Sequence, residues 1–277
     1  FPKTIDNDLR TRTMHHYNGQ EHETVLCPGF ASGAMAIKKL ASKLHTTNES
    51  HQRIMVLEVM GRDAGWLTGS AVFGGAQMAL IPEIEMTKER KEFFFESVKE
   101  QFMRSPKRSL VIAVSEGVRW WSEEKQQLDV VYASPDLDEY GHPRFGGISG
   151  VIASEISQKL KIEARGQISG YIPRSGKCYE YDRRLTSTLA DKVVDLLLRG
   201  EYGKMPVMKD IVPYSELEEY HTTAIDMGDI GNFPLPQAYY DSNKFQFSDQ
   251  YVDFLTHIIG APYRMEFNHD FPIVIPE

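Results

Sequence analysis

The chain has 277 residues, 41% hydrophobic and 25% charged, enough to bury a core and to form one large or two ordinary domains. Its formal net charge of -8 argues against a nucleic-acid-coating surface, which needs clustered Lys and Arg to neutralise phosphates. Only two cysteines occur, Cys27 and Cys178, with no apolar run of membrane-spanning length and no charged-then-apolar leader; a cytoplasmic protein without a disulfide framework or a membrane partner is expected.

Phe1-Pro2 opens directly into the polar run Lys3-Thr4-Ile5-Asp6-Asn7-Asp8. A functional loop is normally carried by a rigid scaffold, so the expectation is a chain that starts inside a larger fold. The stretch that follows is polar and contains His15, His16 and His22 without regular ligand spacing; an irregular loop with surface histidines is expected there, not a metal site. Ala31 to Leu44 carries Ile37, Leu40, Ala41 and Leu44 at helical spacing, and Thr46 to Ser50 reads as a loop after it.

Arg53 to Val59 is a short, nearly continuous apolar run, as in a strand buried on both faces of a parallel sheet. It ends at Met60-Gly61-Arg62. Ala64 to Ala76 then reads as a small-residue helix, Met78 to Ile81 as a strand, and Thr87 to Met103 as a helix with Phe95, Val98 and Phe102 inward. Leu110 to Val114 is a second buried strand, ending at Ser115-Glu116-Gly117. Val118 to Phe145 is polar, contains Pro135 and Pro143, and reads as an insertion or long loop. A helix carrying Ile152, Ile156 and Leu160 follows, then a strand near Arg165 to Ile168. Leu185 to Leu198 is a helix with Leu185, Leu189, Val193 and Leu197 aligned and Gly200 as its C-cap. Beyond Gly200 the pattern weakens, although Val252, Leu255 and Ile258 share one face of a terminal helix. Strands alternating with helices give an α/β fold with a mostly parallel sheet, whose ligands bind at the carboxyl ends of the strands.

Asp6 and Asp8 place two acidic groups on one loop beside Lys3 and Thr4. One carboxylate of such a pair can hold Mg²⁺ while the other takes a proton, and a solvated Asx turn is the alternative. Arg53, Arg62, Arg165 and Arg174 lie at strand ends or in the turns after them, where guanidinium groups could converge on a phosphate. Glu116 could accept a hydrogen bond from a sugar hydroxyl, or simply sit favourably at a helix entry. Met60 and Phe93 to Phe95 have ordinary packing explanations.

As an ordered set, PKTIDND (Pro2 to Asp8), SHQRIMVLEVMGR (Ser50 to Arg62) and ISGYIPRSG (Ile168 to Gly176) resemble the phosphofructokinase family. YDRRLTSTLADKVVDLLLRG (Tyr181 to Gly200) resembles the helix after the family's last substrate motif. The resemblance implies a two-domain α/β architecture of parallel sheets and flanking helices, with much of the N-terminal donor domain missing. Residues 1–29 would be a remnant of that domain with the catalytic loop, 30–173 the fructose-6-phosphate-binding domain, 174–240 a return to the donor side and 241–277 a C-terminal extension.

By the same resemblance Asp6 is the base at the C1 hydroxyl of fructose 6-phosphate, Asp8 helps hold Mg²⁺, and Thr4 stands close to the transferred group. Met60, Gly61 and Glu116 match sugar-contacting positions, Arg62 a position near the transferred phosphoryl group, and Arg174 a ligand of the 6-phosphate. Arg53 and Arg165 resemble arginines that reach a neighbouring subunit's site, implying a homodimer or homotetramer with shared active sites. Tyr171 stands where ATP-dependent bacterial members carry histidine, and Lys3 where typical ATP enzymes carry glycine. Both resemble the pyrophosphate-dependent branch, since a fixed ammonium suits the compact charge of pyrophosphate. Two features depart from the family pattern: the stretch from Arg10 to Leu26 is long, and the glycine-rich donor motifs are not in this sequence, so the isolated chain is expected to be inactive. ATP as donor and a non-catalytic sugar-phosphate-binding subunit remain the alternatives.

Overall fold

The computed structural model describes residues 1–137 and 143–262; the side chains at 132–137, 143–144 and 219 fall outside that description. An antiparallel hairpin, β1 (Thr13–Tyr17) and β2 (Gln20–Thr24), precedes the long helix α1 (Phe30–His51). Then come β3 (Ile54–Val59), the short α2 (Trp66–Gly69), β4 (Met78–Leu80), α3 (Lys88–Arg104) and β5 (Leu110–Ser115). Two antiparallel pairs follow, β6 (Trp120–Ser122) with β7 (Gln127–Asp129) and β8 (Tyr132–Leu137) with β9 (Pro143–Phe145). The chain continues through α4 (Ile148–Leu160), β10 (Ala164–Ile168), α5 (Glu180–Leu198), the hairpin β11 (Lys204–Met208) and β12 (Thr222–Asp226), and α6 (Asp249–Ile259).

The central sheet is parallel, in the order β10-β3-β5-β4. β3 and β5 are buried along their whole length, because helices cover both faces. Alternation sends Met55, Leu57, Val59, Val111 and Ala113 into a core shared with α1 and α6. Ile54, Val56, Ile112 and Val114 point the other way, into a core with α3 and α4. Two buried carboxylates fasten helix starts to this frame. Glu58 of β3 accepts from the Gly147 and Ser149 amides, each at 2.9 Å, at the entry to α4. Asp182 of α5 accepts from the Gly29 and Ser32 amides at 2.9 and 2.7 Å at the entry to α1. Both place negative charge where helix N–H groups lack partners.

Several elements differ from the sequence expectation. Thr46 to Ser50 is not a loop but the last part of α1. Asn48 is buried there and donates from Nδ2 to Leu110 O at 3.0 Å, so a tertiary contact outweighs the weak helix propensity of Thr and Asn. Ala64 to Ala76 is not one helix: it breaks into α2 and a 3-10 turn at Val72–Gly74. Its glycines admit close neighbours at the cost of helix stability, and a Cβ at Gly69 would lie 2.4 Å from the Tyr251 ring. Val118 to Phe145 folds into the two strand pairs, with 138–142 outside the described residues. The histidine-bearing stretch is the β1–β2 hairpin, and His15 is buried in it, 1% exposed. On α5 the inward residue is Leu196, not Leu197, which is 55% exposed. Of the segment 241–277, α6 contributes Phe254, Leu255 and Ile258 to the main core, while 263–277 lie outside the described residues. Among the described residues no helix is long and apolar enough to cross a membrane.

Candidate active site

Four loops meet at the carboxyl ends of β3, β5 and β10. The first runs from Pro2 to Asp8. Thr4 bridges to Gly29, and its Oγ1 accepts from the Asp6 amide at 3.1 Å. Asn7 takes the left-handed conformation, φ 55, and turns inward. Its Nδ2 donates to Val25 O at 3.2 Å and its Oδ1 accepts from Cys27 N at 2.8 Å. The Phe233 amide donates to Asp8 O at 2.6 Å. With Asn7 clamped, the flanking Asp6 and Asp8 carboxylates are held close enough to repel each other.

The second and third loops follow adjacent parallel strands and are tied together. Glu116 N donates to Val59 O at 2.9 Å and Gly117 N to Gly61 O at 3.2 Å, with the Gly61 amide 3.5 Å from Glu116 Oε1. This proximity explains two glycines. Gly61 has φ 145, and a Cβ there would lie 2.7 Å from Ala64 O, while a Cβ at Gly117 would overlap Arg62 O. The Arg62 guanidinium lies 4.9 Å from the centre of the Phe145 ring. Met60, half-buried, packs against the main core. From the edge strand β10 the chain turns through Ser169, whose amide donates to Glu58 O at 2.9 Å, into a 3-10 turn at Ile172–Arg174.

These loops bring Asp8, Arg62, Glu116 and Arg174 within electrostatic reach of Asp6. Burial pushes the Asp6 pKa up, the Asp8 and Asp63 charges push the same way, and Arg174 and Arg62 oppose them. Asp6 Oδ1 is buried and accepts no hydrogen bond, an open acceptor of the kind a ligand hydroxyl would fill. Burial also raises the Asp8 pKa, with Asp63 adding to the effect. Glu116 is raised chiefly by burial, partly offset by the Gly61 amide and Arg174. Asp63, exposed beside Arg62, is not among the residues singled out from sequence; its adjacency to the Met60-Gly61-Arg62 turn was the available signal. Carboxylates are the hard oxygen donors that Mg²⁺ takes, but the ligand atoms of Asp6, Asp8 and Asp63 do not close to within 4.8 Å of one another as a three-ligand cluster.

Lys3, Thr4, Asp6 and Arg174 also line an open cleft of about 960 Å³, joined by Lys39 and Arg183. Tyr171 stands 77% exposed at the rim of the loop after β10.

Arg53 and Arg165 lie elsewhere, so the four arginines do not converge within one chain. Arg53 immediately precedes β3, and Arg165 pairs with Met55 near its start. Parallel strands all begin at one edge, and six residues of strand separate that edge from the Arg62 end, about 20 Å. Arg53 Nη1 and Arg165 Nε both approach Glu163, at 3.7 and 2.9 Å.

A parallel α/β core whose strand ends present paired carboxylates beside two guanidinium groups is an architecture suited to phosphorylated small molecules. The chain belongs to the phosphofructokinase family: the family's model, described as phosphofructokinase, matches residues 1–197. It is 34% identical over 214 residues to a pyrophosphate–fructose 6-phosphate 1-phosphotransferase of Streptomyces coelicolor, covering 76% of this chain and 56% of that protein. It is 35% identical over 230 residues to an ATP-dependent 6-phosphofructokinase 2 of Clostridium perfringens, covering 81% and 57%. The chain therefore spans a little over half the length of these relatives. Its fold matches a pyrophosphate-dependent phosphofructokinase of Nitrosospira multiformis at a TM-score of 0.71 and 20% identity, over 100% of this chain and 65% of that one.

Proposed function

We propose that the full-length protein carrying this chain is a cytoplasmic phosphotransferase that moves a phosphoryl group from pyrophosphate to the C1 hydroxyl of fructose 6-phosphate, giving fructose 1,6-bisphosphate in glycolysis. The observation that carries this reading is the buried Asp6 Oδ1, which accepts no hydrogen bond and lies within electrostatic reach of Asp8, Arg62 and Arg174. Asp6 takes the hydroxyl proton as the oxygen attacks, and its raised pKa strengthens it as a base at neutral pH. Asp8 helps hold the Mg²⁺ that spreads charge on the donor phosphates, and Arg62 and Thr4 face the group in flight. Arg174 binds the 6-phosphate, while Met60, Gly61 and Glu116 orient the sugar. The family lysine and tyrosine positions, here Lys3 and Tyr171, favour pyrophosphate, whose compact charge an ammonium on the cleft wall can meet.

ATP as donor is the second reading, supported by the 35% identity to an ATP-dependent relative. A non-catalytic subunit is disfavoured by the joint presence of Asp6, Asp8, Arg62 and Arg174. Arg53 and Arg165, stranded at the far end of the sheet beside the exposed edge strand β10, serve a second copy's site, so the working form is a homodimer or homotetramer and this chain alone is inactive.

Steady-state assays of the full-length protein with each donor decide between pyrophosphate and ATP. In Asp6→Asn, turnover should fall at least about a hundredfold with substrate binding retained; unchanged turnover would remove Asp6 from the chemistry.

A further inference from the structure

One cluster outside this site combines ligand chemistry with geometry. His15 projects from β1, while Asp253 and His257 stand four residues apart on one face of α6. One ligand atom from each of the three lies within 4.8 Å of the others. His15 Nε2 is 2.9 Å from Asp253 Oδ2, and His257 Nδ1 is 3.7 Å from that same oxygen. Ligands 2.0–2.1 Å from a tetrahedral ion stand about 3.3 Å apart, so these two separations bracket the spacing such an ion requires. We propose that His15, Asp253 and His257 form a binding site for a divalent transition-metal ion of the zinc type, completed by water, that clamps the β1–β2 hairpin to the last helix.

Further geometry supports it. His15 is 1% exposed while Asp253 and His257 are half-exposed, so the site has a fixed buried anchor and an open side for the ion and its water. The other ring nitrogen of His15, Nδ1, lies 2.9 Å from Tyr239 Oη. A tyrosine hydroxyl both donates and accepts, so it supports either tautomer: without metal Nε2–H donates to Asp253, and with metal the proton resides on Nδ1 and is donated to Tyr239. This is the outer hydrogen bond that orients metal-bound histidines. His257 Nδ1 meanwhile rests on its own helix at Asp253 O, 2.8 Å away, and turning the ring off that carbonyl presents a nitrogen to the ion. Two imidazoles and one carboxylate suit zinc, cobalt or nickel over the hard Mg²⁺ expected at Asp8.

The test uses the full-length protein, stripped by a chelator and kept in excess Mg²⁺ so that the acidic site is saturated throughout. Calorimetric titration with Zn²⁺ and visible absorption with Co²⁺ should show one equivalent bound per chain, with a tetrahedral Co²⁺ spectrum, and Zn²⁺ should raise the thermal midpoint. His15→Ala removes a buried side chain and risks unfolding, so the deciding variants are Asp253→Ala and His257→Ala. Each should fold, weaken Zn²⁺ binding by more than the roughly tenfold lost with an outer-shell partner, and abolish the zinc-dependent rise in midpoint. Absence of one-equivalent binding in the parent protein, or binding unchanged in either variant, overturns the proposal.

Discussion

Asp6 tests the chemistry through stability as well as through turnover. Its Oδ1 accepts no hydrogen bond, so replacing that oxygen in Asp6→Asn forfeits no bond. What changes is the charge: burial and repulsion from Asp8 and Asp63 disfavour the ionised carboxylate, with Arg174 and Arg62 only partly compensating. A group whose pKa is higher folded than unfolded binds more protons in the folded state. Its ionisation therefore costs no stability below the unfolded carboxylate pKa of about 3.9, and the penalty grows as pH rises towards the folded pKa and is complete above it. Removing a destabilising active-site charge typically stabilises by about 0.5–2 kcal/mol, or roughly 2–4 °C per kcal/mol in a domain of this size. Thermal unfolding of parent and Asp6→Asn from pH 4 to pH 8 should show the variant more stable at pH 8, with the gain disappearing towards pH 4. A variant less stable than the parent at pH 8, or a gain independent of pH, would refute the electrostatic account.

Other substitutions probe the frame beneath the site. Asp182→Ala orphans the Gly29 and Ser32 amides at the start of α1; each unpaired buried donor costs about 1–3 kcal/mol, so urea denaturation should show a loss of about 2–4 kcal/mol after allowing for the carboxylate's own burial cost. Gly117→Ala would press a methyl group into Arg62 O. It should lower stability by about 1–3 kcal/mol and, by displacing Arg62, reduce kcat/KM by about tenfold or more, equivalent to about 1.4 kcal/mol; retained kcat/KM would show that the Arg62 turn tolerates movement.

Much of the architecture was legible in the amino-acid order. The runs at Arg53 to Val59 and Leu110 to Val114 announced strands buried on both faces, because continuous apolar character has few other uses at that length. Thr87 marked the start of α3, and its hydroxyl does accept from Arg90 N. The motifs from Lys3 to Asp8, Met60 to Arg62, Ser115 to Gly117 and Ile168 to Gly176 contain the residues that the structure gathers at one end of the sheet, Asp63 excepted.

Tertiary structure decided what local pattern cannot encode. Asn48 keeps α1 helical through a bond to a strand 62 residues away. His15 looked like a surface histidine in a polar stretch, yet its partners Tyr239 and Asp253 lie 224 and 238 residues along the chain. Arg53 and Arg165 resemble Arg62 and Arg174 as sequence features, but parallel strand direction puts the two pairs at opposite ends of the sheet. Composition, periodicity and motif thus determined most of the buried strands and helices and which side chains were candidates for chemistry. Which of those side chains meet was decided by packing, since contacts between distant segments depend on how layers stack and which way strands run.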